Sequence, residues 1–262
     1  MGALPFSKLK QELETYYQRY HRLEYRRGDP VEVVWEYSKL EDQEVAGLWA
    51  ALFAWGRRSV ALSKVKKLLE VVSPSPFWAL FEGYCLEVEW RHRTWSPQDI
   101  KMLWERLITL YRREGSLANF FWKRRSDWES AIAEFQSLIG APPLHRHIGH
   151  LRQGSASKRI LLWLRWMVRR DEIDPGPWEG FSSRVLFVPI DVHVNEWALA
   201  RNLLSRRIPS WKSVIQLTDF FRQLCPEDPL RYDFALVTAG IHRSFAPCSA
   251  EKVCGFSSFC LE

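Results

Sequence analysis

Apolar residues recur three and four positions apart along almost the whole chain, which is the spacing that lines one face of an α-helix. Residues 48–55 and 100–110 are two clear examples of this pattern. The alternation of apolar and polar residues that indicates a strand is confined to 183–189. The sequence therefore predicts an all-α protein.

The same periodicity, with ordinary start signals such as Ser96-Pro97 and Asp228-Pro229, places the expected helices. They are predicted at 6–25, 29–38, 41–57, 59–72, 75–84, 97–113, 126–139, 156–170, 192–204, 210–224 and 229–242. No linker rich in Gly, Pro or Ser divides the chain, so we expect an N-terminal helix over 1–28 and one main domain over 29–262. The connection 171–189 is long, and such a segment is either functional or partly structured.

The chain of 262 residues is 47% hydrophobic, enough to bury one large core or two small ones separated by a cleft. Its 37 Lys and Arg against 31 Asp and Glu give a net charge of +6, which suits a polyanionic partner. The basic residues gather at 57–67, 112–125 and 145–170. Solvated helix faces are the alternative reading of the first two groups, whereas the third contains a loop suited to phosphate.

Targeting and compartment signals point to the cell interior. No segment holds the ~18 uninterrupted apolar residues of a membrane span, and the N-terminal residues become amphipathic too early for a signal peptide. The five cysteines, with three crowded near the C-terminus, do not fit a secreted disulfide framework. We expect a cytoplasmic protein with no membrane partner.

Residues 143–170 carry the first motif with chemical potential, PLHRHIGHLRQGSASKRILLWLRWMVRR. A short helical stretch meets a turn at 152–155, and a strongly amphipathic helix follows. Ser155 is a good N-cap, which makes Lys158 the third helical residue. The free N–H groups at such a helix end bind phosphate.

Lys158 is a candidate nucleophile. The helix dipole and the adjacent Arg159 both disfavour a second positive charge, and the apolar residues 161–163 help to exclude water. Each influence favours the neutral amine, which is the nucleophilic form. A phosphate contact or plain solvation is the alternative role for a lysine at this place.

Asp191 follows the apolar run 185–190 and is expected to cap the next helix. Ile190 and Val192 flank the carboxylate and partly desolvate it, which suits proton transfer or stabilisation of a developing sugar cation. The alternative is a helix cap with no chemical role.

Both motifs resemble those of the helix-hairpin-helix (HhH-GPD) DNA glycosylases, especially the 8-oxoguanine glycosylase and AP-lyase branches. The hairpin motif is Gly154-Ser155-x-x-Lys158, and the second is the segment VPIDVHV at 188–194. With residues 29–69 and the helix LRYDFALVTAGIHR, the similarity covers most of 29–247. It extends most closely to a related conserved family of unknown function.

The resemblance implies an HhH glycosylase-like fold, with two helical subdomains flanking a DNA-binding cleft and the hairpin at about 143–170. It implies that Lys158 attacks C1′ of a flipped, damaged nucleotide to form a Schiff base, and that Asp191 assists. The implied partner is double-stranded DNA near the nucleoid, bound by a monomer that needs no cofactor for its chemistry. The lesion that the resemblance favours is 8-oxoguanine.

Further residues are assigned to DNA and to the flipped base. The hairpin reads Arg-Gln-Gly-Ser where the commoner pattern is Leu-Pro-Gly-Val-Gly. We therefore expect it to contact a phosphate, with a geometry that differs from the commoner hairpin. The expected DNA-binding residues are Gln153, Gly154, Ser155, Ser157, His193, Arg57 and Arg58. Most of the 14 tryptophans are expected in the core, and the candidates for a base pocket are Trp49, Trp55, Trp178 and Phe234.

Cys248, Cys254 and Cys260 lie where several relatives bind a four-cysteine iron–sulfur cluster. Their spacing, C-x5-C-x5-C, departs from the usual C-x6-C-x2-C-x5-C, and only the distant Cys225 offers a fourth thiolate. Free or buried thiols are the favoured reading, with an iron–sulfur cluster or zinc as the alternative.

Two rival functions stay open. One is a monofunctional glycosylase, in which Asp191 activates water and Lys158 only binds DNA. The other is a non-enzymatic hairpin module that holds nucleic acid for a partner.

Overall fold

The computed structural model describes residues 5–245, and this part of the chain is mostly helical and contains no β-strand. The all-α prediction is confirmed to this extent. The helices are α1 (Phe6–Tyr20), α2 (Leu23–Arg26), α3 (Leu40–Phe53), α4 (Arg58–Val71), α5 (Pro76–Phe81), α6 (Pro97–Glu114), α7 (Leu117–Lys123), α8 (Trp128–Gly140), α9 (His145–Ile148), α10 (Lys158–Val168), α11 (Val192–Ala200), α12 (Trp211–Leu224) and α13 (Asp233–Ile241).

Helix starts follow the local signals in the sequence. At α6, the Ser96 hydroxyl accepts from Asp99 N at 3.2 Å while the Asp99 carboxylate accepts from Ser96 N at 2.9 Å, a reciprocal capping box. At α8, the Asp127 side chain accepts from Ser130 N at 3.0 Å. These starts lie within two residues of the predicted ones because capping depends on neighbours in sequence.

Several expectations about elements are wrong. The first predicted helix, 6–25, breaks at His21, whose ring nitrogen bonds the Asp171 carboxylate at 2.6 Å. Pro30–Glu36 is a 3-10 helix rather than an α-helix, and α7 was not expected. The strand expected at 183–189 is a 3-10 turn, Ser183–Val185, followed by an extended segment without a partner strand.

Helix α3 is the centre of the core, with residues 44–53 all buried. Its main neighbour is α10, which crosses it at Gly47. A Cβ at Gly47 would lie 2.9 Å from Met167 Cε and 3.2 Å from Val34 Cγ2. The missing side chain therefore sets how closely α10, which begins with Lys158, approaches the central helix.

Helix α1 packs against α13 and is part of the same body. Glu12 of α1 binds the guanidinium of Arg201 after α11, with 2.9 Å between Nε and Oε2. Glu14 accepts from the Tyr232 hydroxyl at 3.0 Å, just before α13. Within residues 5–245, none of the helices is both long and apolar enough to cross a membrane.

Candidate active site

The hairpin that precedes α10 is held in shape by positions with positive φ. Gly154 is exposed and left-handed, with φ +84°, and Gly149 has φ +71°, where a Cβ would lie 2.5 Å from the Ser155 hydroxyl. Ser157, which is not a glycine, also has φ +51°. These three positive-φ positions fix the turns of the chain between residues 149 and 157.

The start of α10 differs from the prediction. The helix begins at Lys158, not at 156, because Ser157 is left-handed and stands at the N-cap without a capping bond. The Ser155 hydroxyl accepts from Ser157 N at 3.1 Å and so stabilises the turn rather than the helix. Ser155 as the N-cap is therefore a wrong prediction.

A buried glutamine of α8 fastens both ends of the hairpin. Gln136 Oε1 accepts from Leu151 N at 3.0 Å, and its Nε2 donates to the Ser157 hydroxyl at 2.8 Å. Ser157 is only 4% exposed and spends its hydroxyl on this contact, so its assignment to DNA is corrected. Gln136 was missed, although a lone amide on the apolar face of α8 was a usable signal.

Lys158 is half-buried and is the first residue of α10. No described residue forms a hydrogen bond or an ion pair with its ammonium group, whereas Arg165 and Arg169 of the same segment are paired with carboxylates. The backbone N–H groups of Lys158 and Arg159 likewise have no acceptor within residues 5–245. The amine and the helix end are both open to a ligand.

Asp191 caps α11 as the sequence predicts. Its Oδ1 accepts from Val194 N at 2.8 Å, and no described donor reaches Oδ2. The preceding segment is fixed by burial of Val188 and Ile190 and by a 3.0 Å bond from Val188 N to the Thr218 hydroxyl. One carboxylate oxygen is thus held while the other stays available.

Helix α12 connects the two motifs. Trp211 N, in its first turn, donates to Gly154 O at 3.0 Å, and Ser155 pairs with Ser210 in an isolated bridge. Seven residues later in the same helix, Thr218 binds the segment that leads to Asp191. The hairpin and the Asp191 cap are thus both anchored to α12, although Lys158 and Asp191 form no ion pair with each other.

His193 lies in the first turn of α11, half-buried, with Nδ1 3.8 Å from Glu196. Its side chain rests on Gly240 of α13, where a Cβ would come within 2.5 Å of His193 Cβ. The absent side chain lets α11 lie directly against α13 and sets the position of Asp191, two residues earlier.

A buried ionic network behind α10 was not foreseen. Arg165 binds Asp174 at 3.0 Å and Asp233 at 2.5 Å, and Arg169 binds Asp174, Asp171 and Asp228. Burial raises the pKa of Asp233 to about 6 against the charge of Arg165, and the nearby Asp191 carboxylate adds to the rise. The network joins α10 to α13 and places Asp233 within electrostatic range of Asp191.

The loop between α3 and α4 lies near the start of α10. Trp55 is 45% exposed, and the Arg159 guanidinium carbon is 5.5 Å from its ring centre. Arg57 is exposed and stands at the start of α4, whereas Arg58 binds Asp29 at 3.1 Å. Trp55 is therefore brought to Arg159, the residue after Lys158, and Arg58 has a structural partner.

The other base-pocket candidates are placed elsewhere. Trp49 is fully buried against Phe53, and Phe234 is 3% exposed in the core, so neither lines an open pocket. Trp178 borders a cavity of about 660 Å³ and donates to Glu44 at 2.8 Å. Trp178 itself is only 2% exposed and packs against Trp163 in the middle of α10, so the assignments of Trp49, Phe234 and Trp178 are corrected.

The clusters of basic residues at 112–125 and 145–170 contain both paired and exposed side chains. Arg113, Lys123 and Arg124 surround the Glu114 carboxylate, which fits the solvated-face reading of that group. In the third group, Arg165 and Arg169 are buried in ion pairs. Gln153 and Arg152 are exposed on the hairpin.

Cys248, Cys254 and Cys260 lie outside the described residues. Cys225, at the end of α12, is a half-buried free thiol. Within residues 5–245, no group of His, Cys, Asp and Glu side chains is arranged to hold a metal ion.

Comparison with known proteins places the chain in a family. Searches of curated proteins and of solved structures gave no match. A family described as "Protein of unknown function (DUF2400)" matches residues 29–242, which include the hairpin, Lys158 and Asp191. Since the match spans most of the chain, the protein belongs to the DUF2400 family.

Proposed function

We propose that this protein is a base-excision DNA glycosylase with AP-lyase activity, in which Lys158 is the nucleophile and Asp191 assists it. The observation that carries the proposal is the unpartnered Lys158 amine at a helix end with free N–H groups, in a hairpin fastened to the helix that also anchors Asp191. The proposal also takes from the HhH glycosylase resemblance a fold with helical subdomains on both sides of a DNA-binding cleft.

The surroundings of the hairpin support duplex DNA as the ligand. Gln153 and Gly154 project at its tip, with Arg152 beside them, and Lys212 follows the α12 residue that binds Gly154. Helix ends and exposed cations bind phosphates irrespective of sequence. Such contacts position a duplex and leave recognition of the lesion to a flipped base.

The chemistry requires few groups. The neutral Lys158 amine donates its lone pair to C1′, and the glycosidic bond from C1′ to the base breaks. The base leaves with the electron pair of the broken bond and takes up a proton. Ring opening at O4′ then gives a Schiff base, and loss of a proton from C2′ expels the 3′ phosphate. Asp191 stabilises positive charge on the sugar and takes up protons through its free oxygen.

Borohydride trapping tests the nucleophile. Duplexes that each carry one lesion, 8-oxoguanine and an abasic site among them, are incubated with protein and reductant, and the covalent complex is resolved on a denaturing gel. We expect a complex with the wild type that is absent with Lys158→Gln. Lys101→Gln, in α6 and paired with Glu87 at 3.6 Å, is the control and keeps the trap.

Trapping that survives Lys158→Gln would remove Lys158 as the nucleophile. Excision without any trap would establish the monofunctional mechanism, with Asp191 activating water. Binding without excision of any lesion in the panel would leave only the hairpin module.

Asp191→Asn tests the carboxylate. Asn is also a good N-cap, so we expect DNA binding to persist while excision falls by about 100-fold or more. Asp127→Asn, the same change at the N-cap of α8, controls for the cap and leaves turnover unchanged. Equal turnover for Asp191→Asn and wild type would exclude Asp191 from the mechanism.

A further inference from the structure

We propose that Arg159 and Trp55 form a binding subsite for one DNA phosphodiester beside Lys158. The inference rests on the proposed function in that it takes duplex DNA as the ligand. It assigns a specific contact to two residues that the glycosylase motifs do not include.

Arg159 is the first reason. One of its guanidinium nitrogens, Nη1, is sealed from solvent and has no hydrogen-bond partner. No described residue accepts a hydrogen bond from any of its other nitrogens. Buried polar groups in folded proteins are nearly always satisfied. Nη1 itself is closed to a ligand, whereas Nε and Nη2 keep some solvent exposure, so an anion from outside the chain can reach this guanidinium through them.

The charge of Arg159 is also uncompensated. Burial lowers its pKa to about 10, and no carboxylate opposes that effect. Near Arg159, His147 contacts the Asp99 carboxylate. That carboxylate already accepts hydrogen bonds from Ser96 and Arg146, so it does not pair with Arg159. An anion from the ligand is what the site lacks.

The fully buried arginines show the contrast. Arg165 and Arg169 each bind at least two carboxylates, and Arg201 binds Glu12. The fold therefore pairs these buried guanidinium groups with carboxylates. Arg159 is a half-buried cation whose partial desolvation costs folding free energy, and no described carboxylate offsets that cost.

Trp55 shapes the ligand side. Its ring lies 5.5 Å from the guanidinium carbon and remains 45% exposed. This is a cation–π distance, and the exposed ring edge borders the guanidinium, whose fork of N–H donors suits a bidentate contact with an anion. The free N–H groups of Lys158 and Arg159 add donors for the same tetrahedral anion.

The salt dependence of duplex binding tests the contact. Fluorescence anisotropy is measured with a labelled abasic-site duplex, over a range of NaCl concentrations, for wild type, Arg159→Gln and Arg222→Gln. Arg222 is paired with Asp219 and controls for the loss of one positive charge. We expect Arg159→Gln to weaken binding about tenfold and to reduce the slope of log K against log salt by about 1. Arg222→Gln keeps the wild-type slope.

A methylphosphonate scan locates the phosphate. Neutral replacements are placed one at a time around the lesion, and we expect one position to weaken wild-type binding but not that of Arg159→Gln. Arg159→Met separates ligand binding from structure: its thermal stability equals or exceeds that of the wild type, while its affinity falls. Lower stability of Arg159→Met, or a wild-type slope and scan for Arg159→Gln, overturns the subsite.

The two proposals fail in different ways. If no lesion gives a trapped complex but Arg159→Gln still loses salt dependence, the subsite stands and the glycosylase proposal fails. If trapping depends on Lys158 while the slope is indifferent to Arg159, the subsite alone fails. A wild type that binds no duplex refutes both.

Discussion

Glu44 makes stability depend on pH in a way that one substitution removes. Its carboxylate is fully buried in α3 and accepts from Leu117 N, Ala118 N, Tyr111 and Trp178 at 2.6–2.9 Å. Burial outweighs these four donors and raises its pKa from the ordinary value of 4.5 to about 7. The folded protein therefore holds this proton more tightly than the unfolded chain.

The sign follows from that difference. Because the pKa is raised on folding, the stabilisation is complete below pH 4.5 and is lost as the pH rises toward about 7. A shift of this size corresponds to roughly 3 kcal/mol, most of which is lost between pH 5 and 8. Glu44→Gln cannot titrate and does not have this loss.

Urea unfolding at pH 5, 6, 7 and 8 measures the effect. The difference in unfolding free energy between Glu44→Gln and wild type should shift by roughly 2–3 kcal/mol in favour of the variant over this range. In Glu44→Gln the amide NH2 group faces one of the four groups that donate to Glu44. This lowers the unfolding free energy of the variant by the same amount at every pH. Titration of other groups cancels in the difference.

Glu114→Gln is the control. Partial burial raises the pKa of Glu114, but the ion pairs with Lys123 and Arg113 outweigh it and lower the pKa. The stabilisation from this carboxylate is therefore lost only as the pH falls below about 5. Between pH 5 and 8 the unfolding free energy of Glu114→Gln should run nearly parallel to that of the wild type. A parallel profile for Glu44→Gln as well would show that the four donors hold Glu44 ionised and would refute the reasoning.

Two further substitutions probe the supports of the candidate site. Gly240→Ala places a Cβ 2.5 Å from His193 Cβ, so α11 and α13 must separate. We expect the unfolding free energy in urea to fall by about 1–3 kcal/mol, and excision to slow with little change in DNA affinity. An unchanged unfolding midpoint contradicts the contact. Arg165→Met leaves Asp174 and Asp233 buried without their shared cation, which should cost about 3–5 kcal/mol at pH 7; a cost below 1 kcal/mol would show that the network is not needed for stability.

The sequence was informative wherever neighbours in the chain decide the structure. The capping box at Ser96 and the Asp191 cap were both readable, because each depends on residues three positions away. The all-α class followed from periodicity for the same reason. The start of α10 was not readable, since Ser157 is held left-handed by Gln136 from another helix.

The sequence by itself determined that this chain is helical, that a glycine turn precedes Lys158, and that Asp191 begins a helix. Only the tertiary structure decided which basic and aromatic residues are available to a ligand. It placed Trp49 in the core and Trp55 at the surface, although both lie on the same predicted helical pattern. It paired Arg165 and left Arg159, six residues earlier in the same helix, without a partner. The reason is that exposure and charge pairing depend on residues distant in the chain, which periodicity and spacing do not record.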